Sequence, residues 1–160
     1  MSGLDGFNAL PREEAQRLLV GFCASPVWAE RVARLRPFES PEEAIRSGEE
    51  IWSRLPPADW LKAFAGHPRI GERATGTAAK EQAGARGASA QVLAELADAN
   101  REYEERFGHV FLVCATGKSA EEMLAICRSR LHNDAPTELR TAAEEQRKIT
   151  RIRMEKYLTA

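Results

Sequence analysis

Cysteine is scarce in this 160-residue sequence: Cys23, Cys114 and Cys127 are odd in number, scattered, and contain no Cys-x-x-Cys pair. That excludes a disulfide framework and a zinc finger, and implies reduced thiols in a cytoplasm-like compartment. No apolar run reaches the roughly 18 residues that a membrane span needs. The opening MSGLDGFNALP has no signal-peptide pattern, and the closing KYLTA lacks a peroxisomal Ser-Lys-Leu, so the expected location is cytoplasmic. Charge of one sign is lacking too. A formal net charge of −1 gives no global attraction for nucleic acid or an anionic membrane. There is no HExxH or other close His/carboxylate spacing, so no metal ligands are assigned. Internal repeats, low-complexity tracts and long linkers are also missing, which leaves residues 1–160 as a single domain. What is there has the balance of a globular protein, 43% hydrophobic and 29% charged.

Helix signals recur along the chain. Pro11 and two acids open residues 11–24, and Ser25-Pro26 starts the next segment. Ser40-Pro41-Glu42-Glu43 reads as a capping box for a helix to about Leu55. Pro57 starts another, which must stop near Gly66 because Pro68 disfavours helical geometry at His67. Val92, Leu96, Ala99, Tyr103 and Phe107 keep helical spacing after Ser89. Ser119 with Glu122 caps a helix to about Leu131, and Asp134-Ala135-Pro136 begins the last. Its buried stripe is predicted as Leu139, Ala142, Ile149, Ile152 and Leu158. A short helix through the Glu-Gln segment brings the total to about eight, a compact all-α bundle. Val110–Ala115 is the only strand-like run.

FLVCATGKSAEEM, residues 111–123, imitates the strand, Gly-Lys-Ser and helix of a phosphate-binding loop. The glycine required five residues before Gly117 is Leu112, so the backbone wrap around phosphates is lost. Thr116-Gly117-Lys118 reads better as a turn before a capped helix. The N–H groups around Val113–Ala115 stay available as ligand donors.

Residues 66–84, GHPRIGERATGTAAKEQAG, interrupt the helical pattern with a His-Pro, four glycines and a Glu-Gln pair. His109 and His132 read as surface residues beside helix ends. His67 closes a helix, whose negative end favours imidazolium, and Pro68 stiffens the backbone that aims it. An imidazole with an ordinary pKa of about 6.5 is a natural proton donor near neutrality. Glu81 offers a carboxylate to orient that ring, and Gln82 an amide suited to a ureide edge. The same residues also read as a helix stop and a solvated face, and from chemistry alone both readings stand.

The ordered set GHPRIG, KEQAGA, LADANREYEERFGHVFLVCATGKS and KITRIRMEKYL resembles the 2-oxo-4-hydroxy-4-carboxy-5-ureidoimidazoline decarboxylase family of uric acid degradation. The likeness runs from Phe7-Asn8-Ala9-Leu10 to the last helix. It implies an all-helical, homodimeric, cofactor-free carboxy-lyase that makes (S)-allantoin and CO₂. It also implies His67 as the catalytic acid with Glu81 as the second catalytic residue. Substrate-binding residues by the same likeness are Pro68, Ala78, Gln82, the backbone of Phe111, Leu112, Val113, Cys114 and Ala115, and Arg153. The family usually carries serine where this chain has Ala78, with Thr77 beside it, which bears on a substrate hydrogen bond. Arg151 reads as pure surface. The rival class is a helical binding module, since the last helix carries Arg140, Arg147, Lys148, Arg151, Arg153 and Lys156. Interleaved Glu138, Glu144, Glu145 and Glu155 make that stretch a mixed solvated face and argue against a nucleic-acid partner.

Overall fold

A computed structural model describes residues 3–71, 81–85 and 87–160. Among them are eight α-helices, one 3₁₀ turn and no strand. The helices are α1 (Gly3–Ala9), α2 (Arg12–Phe22), α3 (Pro26–Arg34), α4 (Pro41–Arg54), α5 (Pro57–Phe64), α6 (Ala90–Phe107), α7 (Ala120–Arg130) and α8 (Ala135–Leu158). The 3₁₀ turn is Ala83–Ala85. The all-α expectation holds, but the helices are not quite the ones expected. Helix α1 carries two glycines that weaken helix propensity, and packing makes it: Phe7 is buried, and a Cβ on Gly3 would lie 2.1 Å from the Tyr157 carbonyl oxygen.

Serines start the helices as expected. The hydroxyls of Ser25, Ser40, Ser89 and Ser119 accept from the N–H groups of Trp28, Glu43, Val92 and Glu122, each relieving one of the unpaired first-turn donors. Of these four serines, only Ser119 completes the reciprocal capping box, with Glu122. Glu43 instead accepts from the Glu39 N–H at 2.7 Å, one residue beyond the cap.

The chain forms two compact units: Met1–Gly66 with Gln146–Ala160, and His67–Glu145. In the first, α2 packs on α3 and α3 on α4. Trp28 is fully buried and its indole N–H donates to the Gly48 carbonyl at 2.9 Å. A Cβ on Gly48 would come within 3.2 Å of the indole ring, so glycine admits the close approach. Arg151 is half-buried and bonds Glu49 at 2.8 Å and both oxygens of Glu42 at 3.0 and 3.1 Å. It is therefore a framework residue of this unit rather than a pure surface residue.

In the second unit α6 packs on α7 around Leu96, Tyr103, Phe111, Val113, Met123 and Cys127. Phe111, Val113 and Ala115 enter this core while Leu112 and Cys114 do not, the period-two alternation of an extended chain. The last helix departs from its predicted stripe. Leu139 is only half-buried, whereas Glu138 is completely buried. The Tyr103 hydroxyl donates to Glu138, Arg130 Nε donates to it at 2.7 Å, and Asn133 Nδ2 at 3.0 Å. The Arg130 guanidinium also covers the Phe111 ring, 4.9 Å from its centroid. A buried carboxylate is tolerated here because a cation and two further donors replace its water. No helix among the described residues is long and apolar enough to cross a membrane.

Candidate functional site

The backbone beyond α5 places His67. Helix α5 ends at Phe64 and is capped by Ala65, so His67 lies past the last turn rather than within it. The helix-end effect fades within one turn, so the dipole argument for His67 loses its basis. What holds the His-Pro loop is a set of anchors just downstream. Arg69 grips Glu104 through two hydrogen bonds, 2.7 and 3.1 Å. Ile70 is buried in the core, and its carbonyl accepts from Asn100 Nδ2 at 2.8 Å. Gly71 has φ +87°, and a Cβ there would meet Leu96 at 3.1 Å. Half-buried His67 and Pro68 thus sit on a loop fixed at three successive residues.

The third anchor reaches the Glu-Gln pair. Gly71 N–H donates to Gln82 Oε1 at 3.2 Å. That bond engages the amide oxygen of Gln82. Glu81 and Gln82 are both half-buried, and the 3₁₀ turn follows them directly. Gly84 is the contact point on the far side, since a Cβ there would lie 2.0 Å from the Lys118 carbonyl oxygen. The Glu81–Gln82 segment is therefore held between the His67–Gly71 loop and the 114–119 segment.

The five residues 111–115 are all buried. Burial pushes the Cys114 thiol up from its ordinary value. The Thr116 backbone and the Lys118 ammonium pull it down, while Glu145 and Glu81 add to the rise. Glu81 and Glu145 thus share the electrostatic surroundings of Cys114. One expected donor is already engaged: Cys114 N–H donates to Glu145 Oε1 at 3.0 Å.

Arg153, in the first unit, donates to the carbonyls of Gly21 and Phe22 at 3.4 and 3.1 Å, completing the C-terminal end of α2. Ala78 and Thr77 lie outside the described residues. Among the described residues no group of three or more His, Cys, Asp or Glu side chains is arranged to hold a metal ion. Sequence reasoning gave no site role to Asn100, Lys118 or Arg130, and it read Glu138 and Glu145 as part of a solvated face although both are buried. A signal existed for two of them: Glu138 and Glu145 lie four residues before and three after Ala142, on the helix face that Ala142 buries.

A sequence profile of OHCU decarboxylase matches residues 8–155. The chain belongs to the OHCU decarboxylase family. It is 31% identical to the 2-oxo-4-hydroxy-4-carboxy-5-ureidoimidazoline decarboxylase of Amia calva, over 81% of this chain and 79% of that protein. It is 35% identical to the uric acid degradation bifunctional protein TTL of Arabidopsis thaliana over 86% of this chain. The chain spans 45% of that longer protein, and 32% of a bifunctional relative from Bacillus sp. (strain TB-90). Among solved structures, an OHCU decarboxylase crystallised in the presence of (S)-allantoin is similar with a TM-score of 0.82 and 36% identity, over 88% of this chain and 96% of that one. An (S)-allantoin synthase shares the fold, with a TM-score of 0.76 at 16% identity over 99% of this chain and 54% of that one.

Proposed function

We propose that this chain decarboxylates 2-oxo-4-hydroxy-4-carboxy-5-ureidoimidazoline to (S)-allantoin and CO₂. The observation that carries the assignment to this site is the Gly71–Gln82 hydrogen bond, which ties the loop bearing His67 to the Glu-Gln pair. Family membership supplies the substrate class.

The substrate's carboxylate sits on a ring carbon next to a C=N carbon. When the bond to CO₂ breaks, its electron pair forms a double bond to the adjacent C=N carbon and the C=N nitrogen takes up a proton, giving an enol-type intermediate. A proton then arrives at the carbon bearing the ureido group, and the neighbouring hydroxyl loses its proton to become the product carbonyl. In this scheme His67 delivers the proton from one face, which sets the (S) configuration, and Glu81 orients its ring. Gln82 NH₂, Pro68 and the 111–115 backbone hold the substrate's polar edges. Arg153 is a substrate-binding group on the family resemblance, and Ala78 marks where that family usually has a serine. The imine accepts the electrons, so the chemistry calls for no metal or organic cofactor. Homodimerisation comes with the same resemblance, and a cytoplasmic location is inferred from the odd, scattered cysteines.

The decisive experiment adds the protein to freshly generated substrate and follows CO₂ release and the chirality of allantoin. Expected is catalysed CO₂ release with (S)-allantoin in excess. Racemic allantoin forming at the uncatalysed rate removes the proposal.

A further inference from the structure

The segment 111–115 alternates like a β-strand, yet no strand pairs with it among the described residues. Backbone polar groups buried in a core need partners. Along one edge, side chains supply them. Arg130 Nη1 donates to the Leu112 carbonyl at 2.7 Å. Glu145 accepts from Cys114 N–H at 3.0 Å, and Lys118 Nζ donates to the Cys114 carbonyl at 2.8 Å. In an extended chain a residue's own N–H and C=O point to one edge, and those of its neighbour to the other. Residues 112 and 114 therefore present their peptide groups to the edge that these three side chains occupy. Val113 presents its pair to the opposite edge. Val113 is 2% exposed, and its N–H and C=O have no hydrogen bond among the described residues. A donor beside an acceptor, at strand spacing, matches the N–H and C=O edge of a cyclic amide or ureide.

We infer that Arg130, Glu145 and Lys118 are positioning residues, which stand in for a missing strand and hold the Val113 peptide group ready for the substrate's ureide edge. The inference rests on the decarboxylase reading for the identity of that edge. Each of the three touches backbone, and none is assigned contact with the reacting atoms. Arg130 is itself held by Glu138 and Tyr103, so the buried ionic cluster is the foundation of the binding edge.

Lys118 is only half-buried, so Lys118→Met removes one support without opening the core. The probe is (S)-allantoin binding by calorimetry, alongside KM and kcat for decarboxylation. Expected for Lys118→Met is a weakening of Kd and a rise in KM of roughly 3–10-fold, the scale of one lost hydrogen bond, with kcat within about twofold. Glu145→Leu acts in the same direction. Glu145→Gln, which keeps an acceptor for the Cys114 N–H, stays nearer to wild type than Glu145→Leu. Wild-type Kd and KM in a folded Lys118→Met protein overturn the inference. So does a loss of kcat with KM unchanged, or a fall in activity that only tracks a fall in Tm. The wild-type protein separates the two claims. Absence of decarboxylation with allantoin binding intact removes the functional reading and leaves the Kd arm to decide this one, and absence of both removes both.

Discussion

His67 and Gln82 show how much one side chain's role depends on its neighbour's backbone. His67 is placed by residues that follow it, Arg69, Ile70 and Gly71, each tied down separately. Gln82 engages its amide oxygen with that same loop, so in the proposed reaction it ties the loop of the proposed acid to the proposed substrate-binding pair. His67→Asn keeps a polar side chain of similar reach but removes a group that can transfer a proton near neutral pH. Turnover should fall roughly 10²–10⁴-fold. Circular dichroism and (S)-allantoin affinity should stay near wild type, because the change touches the proton and not the core. Decarboxylation within about threefold of wild type, well below that range, would take the acid role away from His67.

Among the elements, the 3₁₀ turn after the Glu-Gln pair is the most exacting. Gly84 abuts the Lys118 carbonyl so closely that any Cβ must push two backbones apart. Overpacking of this kind costs on the order of 1–3 kcal/mol. The larger effect is on activity, since an ångström-scale shift of the Glu81–Gln82 segment can cost up to about 10²-fold in rate. Gly84→Ala should therefore lose at least tenfold in kcat/KM while remaining helical, a comparison that steady-state kinetics and circular dichroism make directly. Wild-type kinetics would mean that the turn does not place the pair. The segment 111–115 makes a related point. It has the alternation of a strand, and side chains from α7 and α8 with Lys118 replace the partner strand.

Across the whole molecule, all three cysteines are free and buried. Burial pushes the thiol pKa values of Cys23 and Cys127 up to about 12, from an ordinary 9.0, and raises that of Cys114. Tyr103 moves the same way, through burial and its hydrogen bond to Glu138. The sign follows from proton counting. Between pH 9 and pH 12 the unfolded chain gives up thiol protons that the folded chain keeps, so stability present below pH 9 is lost as pH rises through that window. Thermal melts should show Tm falling steadily above pH 9, and the thiols should react with a disulfide reagent at pH 8 only after denaturant is added. Rapid labelling of three thiols in the native protein would contradict this burial.

The local signals in the sequence were strong where they concern neighbours along the chain. Serine caps, prolines at helix starts and apolar periodicity placed seven of the helices, and the His-Pro and Glu-Gln motifs marked the candidate site. These features depend on residues within a turn of one another, so a linear reading can weigh them. Helix α1 escaped because only distant packing overcomes its glycines. Glu138 and Leu139 exchanged roles because a carboxylate is buried only when Arg130, Tyr103 and Asn133 meet it, and those partners lie elsewhere in the chain. Arg151 became part of the framework through Glu42 and Glu49, about a hundred residues away. The hydrogen bonds that shape the 111–115 edge were hidden for the same reason. Hydrogen bonds and ion pairs are satisfied in space, and residues adjacent in sequence do not reveal which distant partner each buried polar group finds.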